Sequence, residues 1–237
     1  MVVFGILIAL QINNWNENRK LEKQEITYLQ NLGDDFKSQI VLLNGYVDFE
    51  SIIIEQSNDI VNHYEYNKGF KNMDSIFPKL NDLSVRWTFS NVNTTLLEMI
   101  SSGQINIIQN KDLKAELIAF NQVIETFSKN TQNNNTNLID NLTVQNLIDK
   151  SAFASYGYSK RMTEKLKEFY LFNFISIPNN QLNEIATKII NEPKNELELI
   201  NKVVFRNGMA NMQKIGNESI KNLAEQILSK VEKELNK

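Results

Sequence analysis

The chain has 237 residues, with 25 basic and 28 acidic side chains interspersed along it for a net charge of −3, so it carries no basic footprint of the kind that binds nucleic acid. It has no cysteine and one histidine, which removes disulfides, thiolate nucleophiles and Cys-based metal sites and leaves little for zinc, haem or copper. Eight glycines and three prolines favour long helices over turn-rich sheet.

The chain opens on an apolar run, Met1 to Ile12, which is little more than half of the roughly 20 residues that a spanning helix needs. No Lys or Arg precedes it and no A-x-A-like site follows it, so a cleaved signal peptide does not fit. Leu21, Tyr28, Leu29, Leu32, Phe36, Ile40, Leu43, Val47, Ile54 and Val61 then recur at helical spacing, which predicts one helix to about Tyr64, with Gly33 and Gly45 as points of kinking or close contact. A turn follows at Asn67-Lys68-Gly69, then a weaker helical stretch from Met73 to Leu83 that contains Pro78, then an aromatic run with Trp87 and Phe89. Asn93 is placed to cap a helix from Thr94 to Ser102, Gly103 to end it in the left-handed region, and Asn110 to cap the next, whose face is Leu113, Leu117, Phe120, Val123, Ile124 and Phe127. The polar run 130–137 reads either as a loop tip or as an exposed part of one long helix, and the helix is preferred. Ser151 to Tyr158 is a break, Lys160 to Phe174 a helix, and Asn180 to Asn191 a short amphipathic helix stopped by Pro193. Asn195 to Asn236 is a long final helix, with Leu199, Val203, Met209, Met212, Ile215, Ile220, Leu223, Ile227 and Val231 on its expected buried side. Gly208 and Gly216 are expected to allow close packing against the first helix.

GILIALQINNWNE, Gly5 to Glu17, resembles the stretch that ends the transmembrane helix in an uncharacterised bacterial membrane-anchored helical family, a domain of unknown function. Leu96 to Phe120 resembles that family's middle segment, in which one helix ends at Ser-Gly and another begins after Ile-x-Asn. The resemblance implies that the chain begins inside its own anchor, with Val2, Val3, Phe4, Gly5, Ile6, Leu7, Ile8, Ala9, Leu10, Ile12 and the interfacial Trp15 in a partial transmembrane segment over residues 1–17. Residues 18–237 would then be a single helical bundle domain. Arg19, Lys20 and Lys23 follow the apolar run and by the positive-inside rule would keep that domain cytoplasmic; the basic segment upstream of the anchor in the family implies the opposite, an extracytoplasmic domain, which is preferred. The resemblance brings no activity and no catalytic residue.

Chemical motifs are absent. No Glu-x-x-His pair exists for a di-iron centre, no G-x-S-x-G for a nucleophile elbow, and no G-x-G-x-x-G or P-loop for a nucleotide. His63 reads as a surface or boundary residue, and Asp34-Asp35 and Glu196/Glu198 as solvated helix faces. Arg206 is either a buried cation seeking a carboxylate such as Glu98 or, as preferred, an exposed head on a packed stem. The region 153–174, with Tyr156, Tyr158, Arg161, Phe169 and Phe172, is the candidate ligand lining, against a heavier weight for plain core packing.

Together these residues predict an all-α protein, a truncated transmembrane helix continuing into long amphipathic helices with short helical connections. The expected role is non-enzymatic sensing, binding or scaffolding in the bacterial envelope, without metal or cofactor. Its expected partners are the lipid bilayer, a second copy of itself or other envelope proteins, and not nucleic acid. The alternative is a soluble helical ligand-binding protein or enzyme that uses the aromatic region.

Overall fold

A 66-residue helix, α1 (Val2–Asn67), begins the described part of the chain. The computed structural model describes residues 2–168 and 175–237, and no strand occurs among them. After α1 come a 3-10 turn (Met73–Ser75), α2 (Phe77–Asp82), α3 (Thr94–Ser101) and a second 3-10 turn (Gln104–Ile107). Then α4 (Lys111–Asn134) passes through a π-helical stretch (Asn135–Val144) into α5 (Gln145–Lys150), so the polar run 130–137 is helix and not a loop tip. The remaining elements are α6 (Phe153–Tyr156), α7 (Lys160–Lys167), α8 (Asn180–Ile190) and α9 (Pro193–Leu235). The expected end of α7 at Phe174 lies outside the described residues.

The anchor expectation is overturned. Among the described residues no helix is long and apolar enough to cross a membrane. The physical reason lies within α1: the apolar run stops at Ile12, and Asn13, Asn14, Asn16, Glu17, Arg19 and Lys20 continue the same helix. Val3, Phe4, Ile6, Leu7, Ile8, Leu10, Ile12 and Trp15 are each between 53% and 74% exposed, and Ala9 is exposed with them. The side chains of Val2 and Gly5 lie outside the described residues. With the anchor go the bilayer as a partner, the single-pass localisation and the extracytoplasmic placement, and the expected envelope partners and self-association that rested on them lose their support.

By internal contacts the chain forms two compact units, Met1–Leu43 with Ser90–Thr126 and Ser219–Lys237, and Asn44–Phe89 with Phe127–Glu218. In the first, the apolar stripes of α1, α4 and the end of α9 meet. Leu32, Phe36, Leu117, Ile124 and Val231 are buried there, and Phe36 and Phe120 pack with ring centroids 5.0 Å apart. At Gly33 α1 faces α9 with room for a side chain, since a Cβ there would stand at an ordinary contact distance of 3.9 Å from both Leu228 and Val231. Asn110 caps α4 as expected, its Oδ1 accepting from the amides of Asp112 (3.0 Å) and Leu113 (3.1 Å). Asn93 does not cap α3; Asp35 does so from across the unit, its Oδ2 accepting from the Thr95 amide at 2.7 Å.

In the second unit Phe49, Ile53, Ile60, Phe70, Phe77 and Leu80 form a continuous core with Leu147, Met162, Ile190 and Val203. Gly216 of α9 is in contact with Phe127, and a Cβ would lie 2.3 Å from Phe127 Cε2. That ring stands edge-on to Phe89 at 5.2 Å and 90°, which limits its retreat. Gly216→Ala is therefore expected to destabilise by about 1–3 kcal/mol through overpacking, more than its gain of about 1 kcal/mol in helix propensity. A urea titration checks this as a lower midpoint at unchanged slope. The close approach expected against the first helix is not what these glycines make: Gly216 meets Phe127 of α4, and Gly208 faces open space. Met212 and Ile215, expected to be buried, are 49% and 62% exposed.

Residues 85–93 form neither helix nor strand, so their buried backbone groups need partners from elsewhere. Helix side chains supply them. In the second unit Arg206 Nη2 donates to the Val85 carbonyl (3.0 Å), Asn135 Nδ2 to that of Trp87 (2.7 Å) and the Tyr46 hydroxyl to that of Thr88 (3.3 Å). In the first, Gln39 Nε2 donates to the Ser90 carbonyl (3.2 Å) while its Oε1 accepts from the Val92 amide (2.9 Å). Three buried polar side chains of these helices, Gln39, Asn135 and Arg206, thus hold this one extended segment.

Candidate functional site

The described aromatic residues among those singled out in the sequence, Tyr156 and Tyr158, pack within the second unit. Tyr156 stacks on Phe77 at 5.5 Å and 18°, and its hydroxyl donates to Asp74 Oδ1 (2.6 Å) and accepts from Asn183 Nδ2 (3.2 Å). Burial, and then the Asp74 carboxylate, push its phenol up to about 12. Tyr158 stands edge-on to Phe153 at 5.2 Å, and burial raises its pKa as well. Arg161 pairs with Glu55 of α1, both half exposed. Phe169 and Phe172 lie outside the described residues.

A groove does lie beside this cluster, but its lining differs from the expected one. Residues 149–155 form one side and Leu182, Ile185, Ala186 and Ile189 of α8 the other of an open groove of about 160 Å³. Phe153 contributes to the wall; Tyr156, Tyr158 and Arg161 do not. The α8 side follows from sequence: Asn179 Oδ1 caps the helix through the amides of Gln181 (2.8 Å) and Leu182 (3.3 Å), and the i, i+3, i+4, i+7 spacing sets four apolar residues in a row. At the polar edge the Ser155 hydroxyl reaches the Ile177 and Asn179 carbonyls only at 3.3 and 3.4 Å, so its lone pairs stay open to a donor. Asp149 accepts from Gln145 Nε2 at 3.1 Å, and Lys150 is bonded to Glu198. Lys150, with Lys202, holds the Glu198 carboxyl down to about 2. Ser155 falls within the expected region 153–174 without being singled out, Ala152 and Ala186 fall outside it, and the apolar row of α8 is the signal that points toward Ala186.

Behind the groove, residues 151–159 are tied to α2. Asn81 Nδ2 donates to the Gly157 carbonyl at 2.5 Å, and the Ser151 hydroxyl donates to Asn81 Oδ1. Asp82 Oδ1 accepts from the Ser159 amide at 2.9 Å, while its Oδ2 is buried without a hydrogen bond. Burial pushes the Asp82 carboxyl up to about 7 against the pull of Ser159 and Lys79.

Two other polar features are structural. Arg206 is fully buried, contrary to the preferred reading of its sequence, and its partner is Glu50 (Nη1 to Oε2, 3.5 Å), not Glu98. Burial pushes Glu50 up to about 7 despite that cation. His63 Nε2 lies 2.5 Å from the Lys71 carbonyl at the exposed end of α1. Among the described residues no group of three His, Cys, Asp or Glu could hold a metal ion.

The fold and the groove together define a class: an all-α protein with a small apolar-floored groove in its second unit. The chain belongs to the Family of unknown function (DUF6090), whose model matches residues 1–141, and both stretches that carried the resemblance fall within that span. The match supports an uncharacterised family and not the membrane anchoring that the resemblance implied. No curated protein and no solved structure matches the chain.

Proposed function

We propose that the chain is a non-catalytic helical binding module, and that the groove between residues 149–155 and α8 takes a small uncharged ring or branched alkyl body carrying one hydrogen-bonding group. The observation behind this is the groove itself: about 160 Å³ over Ala152, Ala186 and Ile189, with one under-used hydroxyl at its edge. An apolar cavity of about 150 Å³ accommodates a benzene ring. The two ionisable side chains in the wall, Asp149 and Lys150, already have partners, which favours binding over acid–base chemistry.

Phenol has the matching size and a single donor for Ser155. At ten times its dissociation constant it should add about 1.4 kcal/mol of stability by mass action, read as an upward shift in Tm. Ile185 lines the lip and is half exposed, so Ile185→Glu should fold normally and weaken phenol binding at least tenfold. Equal stabilisation of both proteins would place the phenol elsewhere and defeat the proposal.

A further inference from the structure

We propose that Asp82 is a proton-operated latch behind this groove: with its carboxyl neutral the 157–159 turn stays bound to α2, and with the carboxylate charged that turn opens to water. Residues 151–155 form the groove wall, and the chain that follows them is tied down by Asn81 on the Gly157 carbonyl, Asp82 on the Ser159 amide, Asp74 and Asn183 on the Tyr156 hydroxyl, and Ser84 on Tyr158. Gly157 sits at φ 60°, ψ −149°, a conformation open to glycine and strained for other residues, so the turn is sharp and depends on those ties. Asp82 is the tie that can change its charge. Its side chain is fully buried; Oδ1 accepts from the Ser159 amide and the Ser159 side chain also favours the charged form, but Oδ2 makes no hydrogen bond. An unpaired anion in such a place costs far more than a neutral carboxyl, and the least costly way to hydrate Oδ2 is to lift the turn that covers it.

The surrounding charges do little to relieve this. Lys79, on the same helix, attracts the carboxylate, but its ammonium is bound to Asp59 of α1 at 2.5 Å. Asp74, on the adjacent 3-10 turn, is occupied by Tyr156. On α5, Asp149 and Lys150 are bonded to Gln145 and Glu198, and on α7 Lys160 and Arg161 pair with Glu164 and Glu55. Tyr158 feels the Asp82 charge unfavourably, since that charge raises its own pKa. The sign follows: the folded-state carboxyl binds its proton more tightly than the unfolded one, so its contribution to stability is complete below about pH 4 and is lost as pH rises to about 7.

The coupling of the latch to ligand rests on the groove being a binding site; the latch does not. The test is amide exchange on the ligand-free chain from pH 5 to 9. The Ser159 protection factor should fall by up to tenfold per pH unit from pH 5 to about 7, where the closed carboxyl is protonated and releases its proton on opening, and should level off above about 7, where both states are charged. In Asp82→Asn it should stay level throughout. A wild-type protection factor that is flat to pH 9, or an equal fall in the variant, overturns the proposal. The carboxyl carbon resonance of Asp82 in the unaltered chain gives a second reading that needs no variant. Titration near pH 4 overturns the latch, and titration near pH 7 supports it.

Discussion

Arg206→Ala is expected to destabilise the protein by about 3–5 kcal/mol. The guanidinium is fully buried and serves two groups: the buried Glu50 carboxyl at 3.5 Å and the carbonyl of the partly buried Val85 at 3.0 Å. Truncation leaves a buried carboxyl without its cation and a backbone carbonyl without its donor, and each loss costs more than an exposed ion pair would. The size of the loss should depend on pH. Glu50 is already pushed up to about 7 with Arg206 in place, so its folded-state pKa exceeds the unfolded value of 4.5 and its proton stabilises the fold below that value, an advantage lost by about pH 7. Without Arg206 the carboxyl is held neutral still more strongly. Urea titrations should therefore show a smaller deficit at pH 5 than at pH 8. The double variant Glu50→Leu with Arg206→Met should regain most of it, because an apolar pair of similar volume removes both orphaned charges. A deficit below about 1 kcal/mol at pH 8 would contradict the buried pairing.

Gln39→Leu tests the same principle in the other unit, with an expected loss of about 2–4 kcal/mol. Its side-chain oxygen accepts from the Val92 amide at 2.9 Å and Asn93 Nδ2 at 3.0 Å, and its nitrogen donates to the Ser90 carbonyl at 3.2 Å. Leucine has nearly the same volume, so the change removes hydrogen bonds and leaves little cavity. Gln39 is fully buried, which keeps water from replacing what is lost. The Val92 amide should exchange at the rate of the core helices in the unaltered chain and much faster in the variant. A variant with unchanged stability and unchanged Val92 exchange would mean that the extended segment is held by other contacts.

Helix positions were largely readable because period and caps are local. The stripe Leu29, Leu32, Phe36, Leu43 and the cap at Asn110 involve residues a turn or two apart, and both appear where the spacing puts them. Asn93 has the side chain of a cap, but its amide is drawn to Gln39 from 54 residues away, and Asp35 takes over at α3. Arg206 belongs to a residue type that usually keeps its head in water; Glu50, 156 residues distant, is what permits burial, and nothing in the local sequence signals that pairing. In α9 apolar residues occur all round the helix, so periodicity could not tell that Met212 and Ile215 face outward. The groove was hidden for a similar reason: Ala152, Ser155 and Ala186 are ordinary residue types, and only the fold sets them opposite one another. The anchor expectation failed differently: the likeness over Gly5 to Glu17 is one of sequence, while the apolar length that a span requires ends at Ile12.

The binding reading is tested most directly by nuclear Overhauser contacts between bound phenol and the methyl groups of the protein. Ring protons should show contacts to Ala152, Ala186 and Ile189, and these should vanish in Ile185→Glu. Contacts confined to Val123 and Leu223 of the first unit, or none at saturating phenol, would contradict the assignment of the groove between residues 149–155 and α8.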